Sequence, residues 1–260
     1  MGQAAPRGRG RGGGLDLNQP QINQQRVLAL PGLLCDEYVW RAQIAGLADV
    51  ADVTVADVSR HDDLNAMARA ALDLVDGPVH VVGHSMGGRV AFEIWRIAPE
   101  RVRSLVVMDT GAHGAGSAEP AGRQRLLDVS AHDGMRALAD AWLPPMVHPS
   151  RRGDDTLMQP LRDMVMRATP ESHARQIGAL LDRPDATALL GTITVPTLVV
   201  VGRDDEWSPL AQHEQIAGAI SGARLVVVEN AGHMVTVERP DEVTALLREW
   251  VREFGDKPSV

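Results

Sequence analysis

The stretch Val79-His80-Val81-Val82-Gly83-His84-Ser85-Met86-Gly87-Gly88 decides the reading of this chain. A short apolar, β-branched run runs directly into Gly-His-Ser-Met-Gly-Gly. An apolar segment over 87–98 follows and stops before Pro99. Strand, sharp turn and helix, in that order, are the setting in which a G-x-S-x-G pentapeptide presents its serine. Such a turn holds Ser85 in strained backbone geometry so that the hydroxyl projects from it. Positions 83 and 87 crowd each other, which calls for Gly83 and Gly87, and Gly88 lets the new helix lie close to the sheet. The helix also aims its first N–H groups at the serine, where they favour negative charge on a bound oxygen. A Gly-Ser turn on its own is a weak signal, and the flanking strand and helix give this one its weight.

Working outward, five further runs read as strands: 27–30, 53–58, 102–108, 197–201 and 225–228. They are continuous in apolar residues rather than alternating, which fits strands buried on both faces of a mainly parallel sheet. Helical patterns lie between them at 65–75, 87–98, 209–220 and 240–254. Pro209 and Pro240 are each suited to a first helical turn, and the last helix carries Val243, Leu246, Leu247, Trp250 and Val251 on one face. Strands alternating with helices predict a doubly wound α/β domain over 26–260. Residues from about 112 to 190 break the alternation. They hold helical patterns around 126–127, 135–142, 157–166 and 174–181 and a kinked Pro144-Pro145-Met146-Val147-His148-Pro149, with no convincing strand. A helical insertion between two core strands reads as a lid over the site.

The 260 residues, 44% hydrophobic, suffice for one full core. No apolar run is long enough for a membrane span, and the polar, glycine-rich start lacks the apolar core of a signal peptide, so a cytoplasmic protein is the expectation. The one cysteine, Cys35, excludes an internal disulfide and gives no support for a metal site. Residues 1–25 stand apart as a Gly-, Arg- and Gln-rich stretch expected to be a disordered tail. Arg7, Arg9, Arg11 and Asp16 give that stretch +2, so the overall charge of -8 leaves -10 on the rest. An acidic body argues against nucleic acid as a partner, and the short RGG-like run, without an aromatic to stack on a base, is read as a solvated tail.

From the serine motif onward, the chain resembles the α/β-hydrolase superfamily, in its lid-bearing serine esterase and carbon–carbon-bond hydrolase branch. The resemblance spans about residues 26–254 and follows the family's order of oxyanion loop, serine elbow, lid, acid and histidine. It implies the α/β-hydrolase fold, with helices on both faces of the sheet. It further implies that His233, in Glu229-Asn230-Ala231-Gly232-His233-Met234, is the base that activates Ser85, with Glu238-Arg239-Pro240 after it also family-like. The acid implied is Asp205, because Gly202, Asp205 and Pro209 match the family spacing. Asp204 is its neighbour and possible substitute, and Asp109, at another strand end, is an acid position in some members and otherwise a capping or loop residue. The oxyanion hole implied is the backbone N–H of Met86 and that of Leu33, although Pro31-Gly32 departs from the usual His-Gly.

The resemblance implies acyl transfer through an acyl-serine, on an ester, thioester or related small-molecule substrate, with no metal or organic cofactor required. Serine at the elbow argues against the haloalkane dehalogenase and epoxide hydrolase branches, which carry aspartate there. Alternatives are hydrolysis of a carbon–carbon bond in a dienoate or diketone on the same triad and, in another class, a non-enzymatic ligand-binding protein on this fold. Secondary expectations are that most of the nine histidines lie at the surface. Cys35 is expected to be a packing residue and Trp40, Trp142 and Trp207 to be core anchors before pocket walls. His84 and Met86 are candidate substrate contacts, and His113, Met146 and His148 belong to the lid. Oligomeric state is left open.

Overall fold

Six strands form one sheet: β1 (Gln25–Leu30), β2 (Ala51–Val55), β3 (Val79–His84), β4 (Val102–Met108), β5 (Thr197–Gly202) and β6 (Arg224–Val228). The computed structural model describes residues 1–2 and 25–255, and in these the strand order is β2-β1-β3-β4-β5-β6 with every pairing parallel. The continuous apolar runs explain the burial. β3 and β5 are buried along their whole length, while the edge strands β2 and β6 are half open. Leu28, Leu30, Val81, Leu105 and Val107 are fully buried, and each contributes roughly 1.5–3 kcal/mol by leaving water.

From β1 the chain runs through α1 (Arg41–Leu47) to β2 on one side, then returns through α2 (Leu64–Leu72) to β3 on the other. Right-handed crossovers set α1 on one face of the sheet and α2 with α3 (Met86–Ile97) on the opposite one. α11 (Pro240–Phe254) packs on α1, and α2 packs on α3. α9 (Leu210–Ala219) links β5 to β6 and packs on both. The strand order therefore reverses between β1 and β3, whose following loops diverge and open a crevice at the carboxyl ends of the strands. The loop carrying Leu33 and the turn carrying Ser85 flank that crevice.

Between β4 and β5 lie α4 (Glu119–His132), α5 (Gly134–Trp142), α6 (Asp155–Arg167), α7 (Pro170–Leu181) and the short α8 (Thr187–Leu190). Asp154 caps α6, and Thr169 with Ser172 forms a capping box on α7. α4 extends well beyond the Leu126-Leu127 pattern. Only Arg123 and Ser130 are buried along it, so it has no apolar stripe to read. α1 went unanticipated because it is short and starts after Trp40 without a side-chain cap. Pro209 occupies the capping position in extended backbone (φ -60°, ψ 155°) rather than the first turn, and β2 ends at Val55, not 58. The expected tail over 1–25 lies outside the described residues apart from its ends, and Gln25 already belongs to β1. No helix among the described residues is long and apolar enough to cross a membrane.

Candidate active site

Ser85 sits between β3 and α3 with φ 55° and ψ -117°, a region non-glycine residues rarely occupy. The strain is held from outside. The Ser85 N–H donates to Met108 O at 2.8 Å, and Thr110 Oγ1 donates to Ser85 O at 2.7 Å, so the end of β4 pins the turn. A Cβ on Gly83 would lie 2.6 Å from the Gly87 carbonyl carbon and 2.7 Å from the Gly88 nitrogen. One on Gly87 would meet the Leu30 carbonyl and lie 2.8 Å from Pro31 O. Only glycine fits at either position, and the turn is thereby pressed against the loop after β1.

His233 follows β6 and is buried. Its Nε2 is 2.7 Å from Ser85 Oγ, and its Nδ1 is 2.8 Å from Asp205 Oδ2. A carboxylate only accepts, so Nδ1–H donates to Asp205 and Nε2 is left as the acceptor for the serine proton. Asp205 Oδ1 accepts from the backbone N–H groups of Trp207 and Ser208, both at 2.8 Å. Burial works against the Asp205 carboxylate. The attraction and hydrogen bond of His233 and the two backbone donors outweigh it and hold its pKa below the usual carboxylate range. Asp204 points away: its Oδ2 is 3.4 Å from His148 Nε2 and it is partly exposed.

Asp109 is neither the acid on His233 nor a simple loop residue. It is fully buried with φ 47° and accepts from Gly202 N at 2.9 Å and Val235 N at 3.2 Å, tying the end of β5 to α10 (Val235–Glu238). Burial, and then Asp205, push its pKa well up. His84 does not reach the substrate space. It is fully buried, and its Nε2–H donates to His233 O at 2.7 Å. Burial first and His233 next bring its pKa down to about 4, so it braces the His233 backbone as a neutral ring. Glu238 completes the brace. Its Oε1 accepts from Gly232 N at 2.9 Å and Met234 N at 3.3 Å, on either side of His233, while Oε2 accepts from His148 N at 2.8 Å.

The Leu33 N–H makes no hydrogen bond to any described residue, and Leu33 and Met86 line the same cavity as Ser85 and His233. A Cβ on Gly32 would stand 3.1 Å from Ser85 Cβ, so the altered Pro31-Gly32 loop still lies against the serine. The cavity measures about 200 Å³. Its helical wall brings in Glu119, Arg123, Trp142, Met146, Leu180 and Arg183, and Arg89, His113, Trp207 and Gln212 close the sides. Met86, Trp142, Trp207, His113 and Met146 are thus pocket residues. His148 lies beside Glu238 and Asp204, and Trp40 is a buried core residue.

Cys35 is buried, and burial followed by Asp36 raises its thiol pKa, so it stays a protonated packing residue. Contrary to expectation, five of the nine histidines (His80, His84, His173, His213 and His233) are buried. No group of three or more potential metal ligands occurs among the described residues.

Sequence reading missed Glu238 as a clamp and the arginines of the pocket. Arg89 was within reach, because four residues after Ser85 in a helix is the same face. Arg123 and Arg183 carry no local signal.

Residues 7–246 match the model of the Alpha/beta hydrolase family. The chain is 29% identical over 204 residues to a pimeloyl-(acyl-carrier protein) methyl ester esterase of Neisseria meningitidis, which covers 76% of this chain and 64% of that protein's length. It is 29% identical over 217 residues to a 2-hydroxy-6-oxo-6-phenylhexa-2,4-dienoate hydrolase of Comamonas testosteroni, covering 78% of this chain and 73% of that one. A solved structure of a thermophilic esterase from Thermogutta terrifontis superposes with a TM-score of 0.80 at 30% sequence identity, over 88% of this chain and 90% of that one.

Proposed function

Since the chain belongs to the alpha/beta hydrolase family, we propose that it is a serine hydrolase that cleaves an ester, thioester or related acyl bond of a small molecule. The carrying observation is the unbroken contact from Ser85 Oγ to His233 Nε2 at 2.7 Å and from His233 Nδ1 to Asp205 at 2.8 Å, beside the unengaged Leu33 N–H. In this reading Ser85 attacks the carbonyl as His233 takes its proton, and Asp205 stabilises the imidazolium that forms. The N–H groups of Leu33 and Met86 hold the oxyanion. His233 then gives its proton to the leaving group, and water activated by the same ring releases the acid from the acyl-serine. The helices between β4 and β5 act as the lid that shapes the acyl site.

The similarity to the Comamonas dienoate hydrolase supports a second reading, water-dependent cleavage of a carbon–carbon bond by the same three residues. Turnover of p-nitrophenyl esters of graded acyl length, measured beside a ring-fission dienoate, separates the two. The primary reading expects ester turnover that vanishes in Ser85→Ala with the fold intact. Faster cleavage of the dienoate than of every ester moves the assignment to the second reading. Binding of both substrate types with turnover of neither contradicts both and leaves a non-enzymatic binding protein.

A further inference from the structure

One wall of the pocket carries more positive charge than its own carboxylates neutralise. Arg123 and Arg183 share Glu119. Arg123 Nε donates to Glu119 Oε1 at 2.7 Å, and Arg183 donates to both oxygens at 2.8 and 2.7 Å. Arg183 is then saturated by the carbonyls of Leu180, Gly114 and His113. Arg89 is not. Among the described residues its guanidinium makes one hydrogen bond, Nη1 to His113 O at 2.8 Å, and no ion pair. Fixing the His113 carbonyl does not require it, because Arg183 Nε already donates to that oxygen at 3.1 Å.

The edge left free on Arg89, Nε and Nη2, is the edge that Arg203 turns to the Glu229 carboxylate at the surface, where Nη2 donates to Oε1 at 2.7 Å and Nε reaches Oε1 at 3.1 Å and Oε2 at 3.3 Å. Two parallel donors in one plane match the two oxygens of a carboxylate. The placement is also specific. Arg89 stands in the first turn of α3, its N–H 3.4 Å from Ser85 O, and its side chain lines the cavity with the serine. The indole Nε1 of Trp142, buried in the same wall, has no hydrogen-bond partner among the described residues. Beyond Glu119, Arg123, Trp142 and Trp207 lies an apolar chamber of about 340 Å³, with Leu126 and Pro145 in its lining.

We propose that Arg89 is a carboxylate receptor, and that the substrate class is an acyl compound bearing a second, ionised carboxylate a few bonds from the scissile carbonyl. This rests on Ser85 as nucleophile. The carboxylate closes the free guanidinium edge, which fixes the scissile carbonyl over Ser85, and the remaining apolar part of the molecule extends toward Trp142 and Trp207.

The test compares kcat/KM for monoethyl succinate, glutarate and adipate, each against its neutral primary-amide counterpart. At least one carboxylate is expected to exceed its amide by about tenfold or more, mainly through KM. Arg89→Gln should bring that ratio close to one, and Arg89→Lys, which keeps the charge without the fork, should leave an intermediate ratio. Ratios near one in the unaltered protein, or a ratio that survives Arg89→Gln, overturn the proposal. So does stronger competition by inorganic phosphate than by glutarate.

Binding to Ser85→Ala, followed by tryptophan fluorescence, separates the two levels of the argument. A tenfold carboxylate preference there, with no turnover of any ester by the unaltered protein, supports the receptor and contradicts the nucleophile. Ester turnover without carboxylate preference does the reverse.

Discussion

The two walls of the pocket are built on different principles. On the sheet side, Ser85, Asp109, Asp205 and His233 each stand past the end of a parallel strand, and their polar atoms close on one another or on backbone N–H groups. On the helical side, Glu119, Arg123, Trp142 and Arg183 are side chains of a segment in which α4 packs on α5 and α7, and α5 packs on α6. Position on the first wall is set by backbone geometry and is costly to change. On the second it is set by side-chain identity, which can vary without disturbing the sheet. On the proposed reading, chemistry lies at the strand ends and recognition falls to side chains of helices, Arg89 of α3 among them.

After Ser85 itself, the largest effect expected on the sheet wall is at Asp205. Asp205→Asn removes the acceptor that fixes the His233 tautomer and should lower kcat by roughly two to four orders of magnitude. Asp204→Asn, one residue away and turned toward His148, should leave kcat within about threefold. Equal losses in the two variants, measured on one ester, break the assignment of the acid.

Acid stability sharpens the comparison next. Burial first of all depresses the pKa of His80, His84 and His213 on the sheet side, and of His173 in the helical segment, from 6.5 to about 4. The unfolded chain takes up these protons below pH 6.5 while the folded one does not until about pH 4. Stability is thus full above the unfolded value and falls through that window, with up to one proton of linkage for each ring. Denaturant midpoints should drop steadily from pH 6.5 to 4, and His173→Gln should remove about one proton from the slope. A flat profile over this range contradicts the neutral buried rings.

Glu238 joins the walls, since its carboxylate holds the backbone on either side of His233 and also His148 of the helical segment. Burial raises its pKa despite those three donors. Glu238→Gln puts an NH2 against at least one backbone donor, and should cost about 1–3 kcal/mol in stability and lower kcat by about tenfold. A loss of stability with kcat unchanged would confine the clamp to folding. The smallest effect is expected at the surface, where Arg203→Ala breaks the exposed, solvent-screened pair with Glu229, leaves turnover alone and shifts the denaturant midpoint least of these variants.

The same contrast explains what was legible in the sequence. Parallel strands buried on both faces must be continuous apolar runs, so β1, β3, β4 and β5 stand out, the half-open edge strands β2 and β6 keep enough β-branched residues to be placed, and a residue shortly after such a run can be located by counting. Ser85, Asp205 and His233 are of that kind. The helical wall has no such punctuation. Arg123 and Arg183 come together only through folding, and α4 buries too little to show a period. The histidines misled because a neutral ring can be buried once one of its two nitrogens finds a polar partner. His80 finds Ser104 Oγ at 2.7 Å, and His213 accepts from Thr110 N at 2.9 Å. Asp109 looked like a loop residue because its partners, Gly202 and Val235, lie far along the chain.

The most direct measurement is covalent labelling with a fluorophosphonate, followed by mass spectrometric mapping of the modified peptide. A single adduct on Ser85 is expected, lost in Ser85→Ala and slowed by orders of magnitude in His233→Ala. An adduct on any other residue, or labelling that persists when Ser85 is replaced, would contradict the nucleophile on which the account stands.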